Sequence, residues 1–126
     1  MNLEKSDAQF STFLKKSEHG SLVDLWLSTH YGADGRDVEA LVSFSDRREA
    51  FLWALERLLK EEHIKLHQKG HFWDVSLEEQ VNAFRGAWPK SKADSGYDDF
   101  YWWFFDPACP AGVAWRQKDG SYLIAD

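Results

Sequence analysis

Residues 100–105, Phe-Tyr-Trp-Trp-Phe-Phe, are six aromatic side chains without a break. So much ring surface in one stretch has to be divided between a core and a contact surface. Asp106-Pro107 and Cys109-Pro110 follow at once, and proline disfavours helical backbone in the residue before it, so no regular helix continues from the aromatic run. Aromatic residues make up 16% of a chain that is otherwise of ordinary globular composition, with 44% hydrophobic and 29% charged residues. Its 126 residues suit a single domain, 1–126, able to bury a core without disulfides or a structural metal.

Helical signals dominate the first half. Ser6 and Gln9 have capping-box spacing, and Phe10, Phe13 and Leu14 share one face, which predicts a helix from Ser6 to Glu18 that Gly20 ends. Ser21 caps a second helix with Leu22, Leu25, Trp26 and Thr29 on one side, and Gly32 stands where a left-handed terminal residue is expected. Val38, Leu41 and Val42 suggest a short third helix, interrupted by Ser43 to Ser45. Asp46 and Glu49 repeat the cap pattern ahead of the clearest apolar stripe, Phe51, Leu55, Leu58 and Leu59, giving a helix over Arg47 to Glu62.

Strand signals begin at Ile64. Ile64 and Leu66 alternate with Lys65 and His67, Lys69-Gly70 supplies a turn, and Phe72-Trp73 resume the apolar run, so 63–73 reads as a β-hairpin. Ser76 and Glu79 cap a helix from Leu77 to Trp88, where Pro89 stops it. Asp119-Gly120 between Val113–Arg116 and Tyr122–Ala125 marks a second hairpin, within 113–125. The fold class expected is α+β, a helical N-terminal part packed with short antiparallel strands.

Three segments carry a family resemblance: LERLLKEEHIKLHQKGHFWD (55–74), SLEEQVNAFRGAWPKS (76–91) and WFFDPACPAGVAWRQKDGS (103–121). Together they resemble the bacterial domain-of-unknown-function 596 family, over roughly the last two thirds of the chain. The most specific piece is the aromatic run ending in Asp106, the Cys109-Pro110-Ala111-Gly112 turn and the Trp115 that follows. The chain departs from the family pattern where a glycine is expected just before Ile64, because Glu62-His63 stand there. The resemblance implies an immunity-type protein, of the kind encoded beside contact-dependent growth-inhibition and related toxins, which binds a cognate toxin. It implies no catalytic residue.

The residues themselves favour protein binding over catalysis. From Ala93 to Trp115 there are four aspartates, eight aromatics and no Lys or Arg, a combination that suits recognition of a basic protein. The expected partner contacts are Asp94, Asp98, Asp99, Tyr101, Trp103 and Asp106. The plainer alternative places Phe100, Trp102, Phe104 and Trp115 in the core and uses the aspartates as loop caps. His63, His67 and His71 recur every four residues as helical metal ligands do, but Gly70 and the strand alternation argue against a helix there. Asp98, Asp99 and Asp106 can be read as paired catalytic carboxylates, yet no nucleophile, phosphate loop or metal-ligand motif completes such a site. No catalytic residue, cofactor or metal is therefore assigned, and no enzyme activity is expected.

A formal charge of −6 disfavours nucleic acid as a partner. The alternative is a winged-helix-like DNA binder with Ile64–Trp73 as the wing, but its cations, from Arg47 to Lys69, are interspersed with Glu49, Glu56, Glu61 and Glu62. Met1 to Lys16 hold no continuous apolar run and the lone Cys109 can form no internal disulfide, so a cytoplasmic location without membrane contact is expected.

Overall fold

The computed structural model describes residues 3–125. Helix α1 spans Asp7–Ser17, capped by Ser6, whose hydroxyl accepts the Gln9 N–H at 3.2 Å. Helix α2 spans Leu22–Ser28, and the Asp24 carboxylate accepts the Ser21 N–H at 2.9 Å. Gly20 is needed beside it, because a Cβ there would collide with that carboxylate.

The end of α2 differs from expectation. Thr29, His30 and Tyr31 each donate to the carbonyl three residues back, tightening the last turn, and the left-handed glycine of the following loop is Gly35 (φ 82°), not Gly32. The third helix expected near Val38 reduces to a single 3-10 turn, Glu39–Leu41. Helix α3, Phe44–Lys60, begins earlier than its apparent cap at Asp46, because Ser43 takes the capping role and accepts the Asp46 N–H at 3.1 Å. Ser45, read as an interruption, lies inside the first turn. Helix α4, Leu77–Ala87, is capped as expected by Ser76, which accepts from the Glu79 N–H at 3.1 Å.

Strands β1 (Ile64–Gln68), β2 (His71–Phe72), β3 (Gly112–Arg116) and β4 (Tyr122–Ile124) form one antiparallel sheet in the order β2-β1-β3-β4. Ile64 faces Trp115, Leu66 faces Val113 and Trp115 faces Leu123. The sheet turns Ile64, Leu66, Val113 and Trp115 into the same core as Phe51, Leu55 and Leu58 of α3. The molecule is α+β. Because β1 pairs with β3 from Ile64 to His67, the 64–73 hairpin is built into the sheet and does not stand free as a wing.

Candidate functional site

The aromatic run forms a 3-10 helix, Phe100–Phe105, which the bar on a regular helix had not specified. A 3-10 helix turns every three residues, so positions i and i+3 eclipse. Phe100 and Trp103 therefore share the inner face, where their rings stack at 5.4 Å and 12°. Trp102 and Phe105 share the outer face, with ring centroids 5.9 Å apart, and are 50% and 62% exposed. The alternating assignment that would bury Trp102 fails for this reason.

The inner rings enter an aromatic cluster centred on Trp26 of α2, whose ring meets Phe100 at 4.9 Å, Trp88 at 5.6 Å and Phe44 at 5.7 Å. The Arg47 guanidinium covers the Trp26 ring at 4.0 Å and donates to the Thr29 hydroxyl at 3.0 Å. Burial lowers its pKa to about 10, against the opposing fields of Glu39 and Asp99. The helix thus packs its inner face on this cluster and leaves its outer pair exposed.

Both ends of the helix are tied. Asp99 is its cap and accepts the Tyr101 N–H at 3.3 Å. At the other end the Tyr97 hydroxyl donates to Asp106 Oδ2 at 2.6 Å, and the Ala108 N–H donates to Oδ1 at 2.8 Å. The Tyr97 hydrogen bond, followed by that of Ala108, holds the Asp106 carboxyl below its ordinary pKa, and the same clasp raises that of Tyr97.

The expected contact residues therefore separate. Asp94 and Asp98 are exposed, Asp99 is exposed but also caps, and Asp106 is half-buried in the clasp. Tyr101 is half-buried with its ring 4.6 Å from that of Trp102. Trp103 is only 2% exposed and belongs to the core, so it is corrected from contact to support. Trp102 and Phe105 take its place on the outside, and the three-residue period needed to see them becomes readable only once the 3-10 geometry is known. Phe104 is half-buried and Trp115 is buried, donating its indole N–H to the Gly20 carbonyl at 2.7 Å.

The histidines do not converge. His63 lies beside Phe10 and 3.2 Å from Glu61, His67 is buried and accepts the Gly70 N–H at Nδ1, and His71 is exposed on β2. Among the described residues no three His, Cys, Asp or Glu side chains are grouped to hold a metal ion. Nor, among them, is any helix long and apolar enough to cross a membrane.

The sequence pattern of the family described as protein of unknown function, DUF596, matches residues 59–124, more than half of the chain. The chain belongs to that family. The matched stretch contains the hairpin, α4, the aromatic helix and the closing strands, so both the acidic aromatic surface and the sheet lie within the DUF596 portion. A solved structure, an uncharacterized protein conserved in bacteria from Neisseria meningitidis, shares the fold with a TM-score of 0.75 at 24% identity, over 91% of this chain and 85% of that one. No curated protein matches.

Proposed function

We propose that this DUF596 protein is an immunity-type protein that binds and neutralises a cognate toxin domain through the outer face of the aromatic helix. The partner is a basic protein, such as a nuclease. The observation that carries the reading is the pairing of Trp102 with Phe105, exposed side by side on a helix pinned at both ends, in a segment that holds four aspartates and no Lys or Arg. Rigid exposed aromatics provide contact area at little entropic cost, and surrounding carboxylates steer a cationic partner into register. Neutralisation by binding requires no catalytic group, and none is assigned. The bacterial family supports the setting of such a system without naming the toxin.

The test is co-expression of the chain with the product of the adjacent gene, followed by titration calorimetry on the purified pair. A one-to-one complex that protects cells is expected, and a Trp102→Ala, Phe105→Ala double variant should lose about 30-fold or more in affinity, as truncation of central interface aromatics does. Equal affinity of the double variant would move the interface elsewhere. No complex and no protection would remove the immunity reading.

A further inference from the structure

Among the described residues, the outer edge of β4 has no backbone hydrogen-bonding partner. Ala125 donates to the Val113 carbonyl at 3.0 Å and Gln117 to the Ser121 carbonyl at 2.6 Å, which fixes the alternation of bonded pairs along β3 and β4. The bonded pair between them is Trp115 with Leu123. Tyr122 and Ile124 occupy the non-bonded positions, so their N–H and C=O groups point away from β3. The β1–β3 ladder agrees: Arg116 donates to the His63 carbonyl, placing the even residues of β3 toward β1 and the odd ones toward β4.

Edge strands are ordinarily guarded by shortness, a charge, a proline, a bulge or a covering element, and β4, at three residues, has the first of these. Tyr122-Leu123-Ile124 carries no charge and no proline, and Leu123 and Ile124 are 63% and 45% exposed. The surroundings are cationic within an acidic chain. Residues 62–72 and 112–124 hold Lys65, Lys69, Arg116 and Lys118 against the two carboxylates of Glu62 and Asp119, whereas the whole chain carries −6. Lys65 lies 4.5 Å from the Tyr122 ring, so positive charge reaches the face on which Tyr122 and Ile124 stand.

From this open edge and the charge around it, we infer that β4 accepts an extended acidic segment of a partner protein as a fifth strand of the sheet. The register sets its chemistry. Side chains on the Leu123 face are apolar, and those on the Tyr122 and Ile124 face are Asp or Glu, directed toward Lys65 and Arg116. This proposal uses no residue of the aromatic helix and stands whether or not that helix binds a toxin.

The experiment is an amide NMR titration of the full chain with a capped hexapeptide of alternating Glu and Val, and with its Lys–Val counterpart. The Glu peptide should shift the Tyr122 and Ile124 amides and slow their exchange with solvent, more weakly as salt rises, while the Lys peptide leaves them unchanged. Ile124→Pro removes an outward donor and leaves the Leu123 bonds to β3, so it should keep the fold and lower Glu-peptide affinity about tenfold. Trp102→Ala should leave peptide binding intact. Unshifted amides, equal response to the two peptides, or loss of binding with Trp102→Ala would each overturn the proposal. So would amides already protected without peptide in a concentration-dependent manner, since a second copy would then occupy the edge.

Discussion

Glu62 has a left-handed backbone (φ 62°) at the end of α3, where its own N–H donates to Leu59 and the next residue's to Leu58. This is the paired bonding of a helix terminus that glycine ordinarily completes. The family resemblance implies a glycine just before Ile64, and here a glutamate makes the tight turn. Left-handed backbone costs a residue with a Cβ about 1–2 kcal/mol, part of which glycine returns through its larger unfolded-state entropy. Glu62→Gly should therefore stabilise the protein by about 0.5–1 kcal/mol, seen as a rise of a few degrees in a thermal melt. A fall in melting temperature would show that the side chain contributes more than its backbone costs.

The Tyr97–Asp106 clasp makes a prediction at the same scale. The Asp106 carboxyl titrates below its ordinary value in the folded chain, so its contribution to stability is complete above about pH 4 and is lost as pH falls through the depressed value. Tyr97→Phe leaves only the Ala108 N–H on that carboxylate. Its titration midpoint should move upward in a carboxyl-carbon NMR titration, and an unmoved midpoint would mean the hydroxyl does not set it.

Among the elements, the aromatic helix is the one whose two faces have separable consequences. Phe100→Ala removes a ring stacked on Trp103 and seated against Trp26, and should cost about 3–5 kcal/mol in urea unfolding. Trp102→Ala removes a half-exposed ring and should leave stability within about 1 kcal/mol of the parent. If both lose equally, the division into inner and outer faces is mistaken. The other elements were more readable from sequence. Ser6, Ser76, the stripe of α3, Lys69-Gly70 and Asp119-Gly120 are local signals, and each marked its turn, cap or helix correctly. The inner and outer rings were not readable, because six consecutive aromatics have no polar contrast from which a period can be taken. The cap at Ser43 is masked by a competing local signal: Asp46 offers an equally good cap three residues later, and Phe44 packing against Trp26 at 5.7 Å decides between them.

Across the whole molecule, charge is distributed unevenly between two surfaces built in different ways. The strands and turns of the sheet gather Lys65, Lys69, Arg116 and Lys118, while Asp94, Asp98 and Asp99 cluster around the aromatic helix. The tertiary fold produces the first grouping, since β1 and β3 are distant in sequence and adjacent in the sheet. The second is contiguous in sequence and was legible there. Because Asp98 and Asp99 are exposed, their effect on a partner is long-range and screened by salt. Asp98→Asn with Asp99→Asn should therefore lower the association rate with a basic toxin several-fold at low ionic strength and have little effect near 1 M salt, with dissociation nearly unchanged. Trp102→Ala should do the reverse, speeding dissociation at every salt concentration, because contact area and not charge is removed. Stopped-flow kinetics on the two variants would separate these contributions, and a salt-independent loss in the aspartate variant would place those carboxylates in direct contact instead of at the rim.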